Sequence, residues 1–109
     1  MSDVRARLYQ VNRISVIAQG ADVLVREYLL DPGQSIPWHH HTGVTDHYYG
    51  LEGRVLIETR APASRRELAP GESAIVTPPT AHHVSNSSDQ PCRFLLIQGV
   101  GQYDFVKEE

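Results

Sequence analysis

Residues 33–53 read GQSIPWHHHTGVTDHYYGLEG (Gly33–Gly53), and this stretch holds four of the chain's six histidines: His39, His40, His41 and His47. The other two, His82 and His83, are neighbours. Histidines used for surface or packing purposes scatter; these collect in two places. Imidazole is the commonest metal-ligating side chain, so the distribution points to a metal site built from two distant segments. On a strand, alternate side chains face the same side. His39 and His41 therefore share a face and His40 turns away. Across the short turn through Thr42 and Gly43, Asp46, Tyr48 and Gly50 share one face, and His47 and Tyr49 take the other. In a regular strand that parity favours Asp46 over His47 as a carboxylate-bearing fourth ligand.

Working outward, the chain reads as short β-rich runs between Gly/Pro turns. Expected strands are Ser15–Ala18, Val23–Leu30, Ile36–His41, Asp46–Leu51, Arg54–Thr59, Arg65–Leu68, Ser73–Thr77, His82–Asn86 and Cys92–Val100. Arg5–Val11 is expected as a first edge strand or arm, and Tyr103–Val106 as a last strand. Asp31-Pro32-Gly33 and Glu52-Gly53 carry turn formers. No segment shows a helical period. Many short strands with such turns give an all-β sandwich or barrel. The 109 residues make one domain, 1–109, with no internal linker.

Composition narrows the function. Apolar residues make up 40% of the chain, ordinary for a globular protein, and the formal net charge is −3. A negative balance argues against nucleic acid and against anionic membrane surfaces. No apolar run reaches membrane-spanning length, and MSDVRARLYQ lacks the apolar core of a secretory signal. The single cysteine, Cys92, forms no internal disulfide and reads as a small buried hydrophobe. These features together suit the cytoplasm. No Gly-rich phosphate loop is present, and nothing in the sequence pairs Cys92 with a catalytic base.

The spacing also resembles the cupin superfamily. That family carries Gly, five residues, His-x-His, three or four residues, Glu, six residues, Gly; and then Gly, five residues, Pro-x-Gly, two residues, His, three residues, Asn. Here Gly33, His39-His40-His41, Asp46 and Gly53 meet the first spacing. Gly71, Thr77, Pro79, His82 and Asn86 meet the second. Asp46 stands for Glu, Thr77 for Pro and Pro79 for Gly. The resemblance spans Leu30 to Leu96. It implies an all-β fold, an antiparallel jelly-roll β-barrel, with a metal inside and a homodimeric assembly. It also selects His82 over His83, because Asn86 falls correctly only when counted from His82.

The implied ligand set is His39, His41, Asp46 and His82, three nitrogens and one oxygen, suited to a divalent transition metal such as Fe, Mn, Ni, Zn or Cu. Tyr48 and Gln98 are the candidate polar groups for a bound molecule: Tyr48 shares the parity of Asp46, and Gln98 is the polar member of an inward face with Phe94 and Leu96. Arg26 shares a face with Tyr28 and is expected to be solvated. Trp38 turns away from the ligands, toward a partner subunit. Arg60, Arg65 and Arg66 read as a solvated charge cluster. The expected function is a metal-dependent enzyme with dioxygenase-type chemistry on a small organic substrate; the alternative is a small-ligand binding or sensing module without turnover.

Overall fold

The computed structural model describes residues 9–109. The expected arm Arg5–Val11 falls mostly outside the described residues, and residues 9–11 form no strand. The strands are β1 (Arg13–Gln19), β2 (Val23–Leu30), β3 (Ser35–His40), β4 (Thr45–Glu52), β5 (Val55–Thr59), β6 (Ser64–Leu68), β7 (Ser73–Val76), β8 (His82–Ser85), β9 (Cys92–Gly99) and β10 (Val106–Lys107). They form two antiparallel five-stranded sheets, ordered β1-β2-β9-β4-β7 and β10-β3-β8-β5-β6. The pair resembles a double-stranded β-helix.

Neither sheet closes into a barrel, which corrects the expectation of a closed one. The reason is visible where β6 hands over to β7. There Glu72 N–H donates to Ala69 O (3.0 Å) and Gly71 N–H to Gly50 O (2.9 Å). The connection spends its backbone donors on its own turn and on β4, and no ladder spans the gap between sheets.

Register sorts the interior into two ends. On the first sheet, β2 turns Leu24, Arg26, Tyr28 and Leu30 inward, and β9 turns Cys92, Phe94, Leu96 and Gln98 inward. Asp46 on β4 lies opposite Gln98, and Tyr48 opposite Leu96. On the second sheet, His39 lies opposite His82 and Ile36 opposite Val84. One end of the interior is therefore apolar, built from Leu30, Ile36, Ile57, Val84, Phe94 and neighbours, with Tyr28 stacked on Phe94 at 5.1 Å. Burial of such side chains contributes roughly 1.5–3 kcal/mol each. Histidines, a carboxylate and an arginine fill the other end.

Two local features set this up. The β3 pairing slips between Ile36 and His39, so both face inward although three positions apart. Pro37, with no N–H for the ladder, sits at that irregularity. At the β4–β5 turn, Gly53 has φ +65° and a Cβ there would lie 2.5 Å from Pro91 O. Glycine is required at that position both by conformation and by close approach.

Candidate metal centre

His39 is inward on β3, His41 follows directly after β3, His82 begins β8, and Asp46 lies on β4. The structure brings these four together with one donor atom from each, all within 4.8 Å of one another. All four residues are buried, Asp46 completely. Ligands at about 2.1 Å from one ion lie at most about 4.2 Å apart, so closing on a metal needs a contraction of only about half an ångström.

The histidine tautomers follow from their hydrogen bonds. Nδ1 of His39 lies 2.7 Å from Pro37 O, Nδ1 of His41 lies 2.5 Å from Asp104 O, and Nδ1 of His82 lies 2.9 Å from Thr80 O. A carbonyl only accepts, so each Nδ1 is the protonated nitrogen. Each Nε2 then faces the centre, the arrangement that metal-ligating histidines use. Asp46 Oδ2 lies 3.0 Å from His82 Nε2 and 3.2 Å from His41 Nε2. Although Asp is one methylene shorter than Glu, it reaches two of the three imidazoles. The cluster is thus positioned to chelate a divalent transition metal.

The electrostatics agree with a centre made for a cation. Burial lowers the His39 pKa to about 3, reinforced by the neighbouring His82, which keeps that imidazole neutral. Burial alone would raise the Asp46 carboxyl, but hydrogen bonds with His41 and His82 outweigh it and hold it well below the usual carboxylate range. Burial opposes protonation of His41, yet its contact with Asp46 prevails and its pKa is raised.

Tyr48 and Gln98 hold the carboxylate in place. Tyr48 O–H donates to Asp46 Oδ2 at 2.7 Å, and Gln98 Nε2–H donates to Asp46 Oδ1 at 2.9 Å. Gln98 Nε2 also lies 3.3 Å from His41 Nε2. Burial, followed by the Asp46 charge, raises the Tyr48 phenol well above its ordinary pKa, so it remains a donor.

His40 and His83 face away from the centre, toward Glu108 and Glu58. Trp38 is outward too, stacked on His83 at 5.5 Å with the Arg60 guanidinium 3.9 Å above its ring. Arg60 stays exposed, as do Arg65 and Arg66, and adds this stacking contact. Asn86, the last residue of the second motif, lies outside the centre. Its Nδ2–H groups donate to Leu30 O and Gln90 O, and its Oδ1 accepts from Ser88.

The sequence reading missed two parts of the site. Arg26, expected in solvent, is 1% exposed and points inward, and Gln98 Oε1 accepts from its Nη2. The β2 alternation permitted this orientation without deciding it. Tyr103–Phe105, expected as strand, instead lies over the histidines. Phe105 stacks on His39 at 4.3 Å, Tyr103 lies 5.5 Å from His41, and the Asp104 carboxylate accepts from Thr42 N–H (2.9 Å) and Oγ1–H (2.6 Å). The only sequence signal for it was two aromatics in three residues.

Comparison with known proteins agrees with this geometry. A family model described as "Cupin domain" matches residues 26–98. No curated protein matches the chain. The crystal structure of TT1209 from Thermus thermophilus is similar at 30% identity and a TM-score of 0.75, covering 92% of this chain and 96% of that one. An uncharacterized conserved protein with a double-stranded beta-helix domain, from Klebsiella pneumoniae subsp. pneumoniae, is 24% identical with a TM-score of 0.76, covering 100% of this chain and 97% of that one. Recombinant oxalate oxidase in complex with glycolate shares the fold at 16% identity and a TM-score of 0.72, over 79% of this chain and 46% of that one. With the family model spanning the strands that carry the histidines, Asp46 and Gln98, the chain belongs to the cupin domain family.

Proposed function

We propose that the chain is a metal-dependent oxidoreductase that acts on a small organic acid, with His39, His41, Asp46 and His82 as the ligands of one divalent transition metal. The carrying observation is the set of three Nδ1–H···O=C bonds, which leave three Nε2 atoms as the free donors of a buried cluster completed by the Asp46 carboxylate. A redox-active ion in such a three-nitrogen, one-oxygen set supplies oxygen chemistry, which zinc does not. The protein's part is to hold the ligands still, to keep Asp46 ionised through Tyr48 and Gln98, and to exclude water with Phe105 and Tyr103. The oxalate oxidase of the same fold, in complex with glycolate, supports a small-acid substrate.

The test is an oxygen-electrode screen of Fe(II)-loaded and Zn(II)-loaded protein over short hydroxy acids, diketones and thiols, with His82→Ala as control. Substrate-dependent oxygen uptake is expected with Fe(II) alone. Uptake that ignores substrate, or equals the control, refutes the oxidoreductase reading. Tight binding without turnover replaces it with a binding module.

The proposal extends to assembly and place. The outer face of the first sheet carries Ile75, His47, Ile97 and Val25 in register across β7, β4, β9 and β2, with Ile75 63% exposed. A symmetric homodimer would cover this row. Light scattering should give twice the chain mass, and Ile75→Glu should halve it; a wild-type monomer refutes the assembly. The buried free thiol of Cys92 supports a cytoplasmic location, and among the described residues no helix is long and apolar enough to cross a membrane.

A further inference from the structure

Arg26 is 1% exposed, yet its Nε and Nη1 have no hydrogen-bond partner, and they are the only such buried side-chain atoms among the described residues. Among the described residues, no carboxylate is paired with it. Its guanidinium lies 5.3 Å from the Tyr28 ring centroid and 5.1 Å from that of Tyr103. Those rings attract the charge but accept none of the in-plane N–H bonds. Of five guanidinium donors, Gln98 Oε1 takes one. A buried cation with unmet donors is costly unless an anion completes it.

The cation sits one residue from the metal centre. Gln98 joins Arg26 on one side to Asp46 and His41 on the other. Tyr103 likewise touches both Arg26 and His41. Gln98 and Tyr103 also line a cavity of about 230 Å³ beside Leu24 and the β1–β2 turn, room for a molecule of a few heavy atoms. With a dication on the four ligands, the buried charges at this end are one guanidinium and one dication against the single buried carboxylate, Asp46, while Asp22 at the cavity and Asp104 beside His41 stay toward solvent. The imbalance favours an anionic guest over a neutral one.

We propose that Arg26 is the substrate-binding residue that takes the carboxylate of a small organic acid beside the metal centre, so that acids are selected over neutral carbonyl compounds. This deepens the oxidoreductase reading, on which it rests for the nearby metal but not for the anion site itself. The carboxylate accepts N–H bonds at the unmet donors, and the Tyr28 and Tyr103 rings keep the guanidinium plane from turning away.

Calorimetric titration of glycolate, pyruvate and oxalate, each against its neutral amide, tests this on metal-free and on Zn(II)-loaded protein, with metal content measured alongside. Wild type should prefer acid over amide by about tenfold or more in both forms. Arg26→Gln should lose that preference in metal-free protein and most of it in the Zn form, compared with wild type at equal measured metal content. Arg26→Lys, which keeps charge but not the planar fork, should fall between. Unchanged acid affinity in Arg26→Gln overturns the proposal, as does equal affinity of wild type for acid and amide, or no binding of any acid at millimolar concentration. Should Arg26→Gln fail to fold, the wild-type acid–amide comparison and Arg26→Lys decide. If wild type holds no metal, the oxidoreductase reading fails while the metal-free titrations still decide Arg26.

Discussion

Asp46→Asn is the sharpest test of the centre, because the structure dictates how the new amide must sit. If its NH2 takes the Oδ1 position, it meets the Gln98 Nε2 donor, now 2.9 Å away. Gln98 cannot turn over to accept, since its Oε1 is held by Arg26 Nη2. The NH2 therefore takes the Oδ2 position, where the Tyr48 hydroxyl, 2.7 Å away, has to turn its proton aside, and its own protons face Nε2 of His41 and His82, 3.2 and 3.0 Å away. The substitution removes a negative ligand and also occupies the histidine lone pairs a metal needs. A weakening of metal binding by about 100-fold is the expectation, the upper range for losing a supporting group and the lower for a ligand.

With free metal at about 100 times the wild-type Kd, binding stabilises the wild type by ~2.7 kcal/mol. In the variant the same metal stands at about its Kd and contributes only ~0.4 kcal/mol. The difference, ~2.3 kcal/mol, corresponds to a loss of roughly 10 °C or more in the metal-induced rise of Tm for a domain of this size. Differential scanning calorimetry with and without metal reads this directly. The metal-free comparison removes any cost of the substitution itself, which is small because the amide N–H groups find imidazole acceptors. Equal metal-induced shifts in wild type and Asp46→Asn would refute the reasoning and leave a three-histidine site.

Two further outcomes follow from the same geometry. His82→Ala should abolish stoichiometric metal and His83→Ala should leave it, as measured by elemental analysis; the reverse result would mean that the second motif is read one residue out of register. Metal affinity should rise with pH: the His41 pKa is raised above 6.5 by Asp46, so below that pKa the metal must displace a proton, and above it no longer does. Competition against a chelator at pH 6 and pH 8 would show this, and a pH-independent affinity, after correcting for the chelator, would contradict it.

How far the chain could be read from its letters differs by region. Strands β2, β4 and β9 were legible because alternation and turn residues bound them on both sides. Asp46 could be placed on an inward face because it belongs to a regular strand, and His39 and His41 could be paired on one face because they stand two residues apart. The parity argument still passed over the slip at Pro37, which brings Ile36 inward beside His39. Closure was not legible, since it depends on whether edge strands find partners across the gap, and residue pattern is silent on that. Arg26 was unreadable for a different reason. Arginine on an inward face costs so much without a partner that solvent is the better prior, and only the three-dimensional neighbourhood of Gln98 and Tyr103 reverses it.

The division of labour between the sheets explains why such an arrangement persists. All three histidines come from β3, its end and β8 of the second sheet, whereas Asp46, Gln98 and Arg26 come from β4, β9 and β2 of the first. The sheets share no ladder, so at this end their interior contacts run mainly through the cluster, while Leu30, Ile57, Val84 and Phe94 join them at the other end. Five of the six side chains are rooted within strands, which position a site more tightly than loops do. His41, the exception, is fixed by Asp104 O, and the Asp104 carboxylate in turn holds Thr42. The order Arg26 to Gln98 to Asp46 then has a direction: the cation fixes which way the amide faces, the amide donates to the carboxylate, and the carboxylate keeps Oδ2 toward the histidines. An acid that draws donors from Arg26 would act on the same chain of bonds that orients the metal ligand, coupling occupation of the anion site to the geometry of the centre.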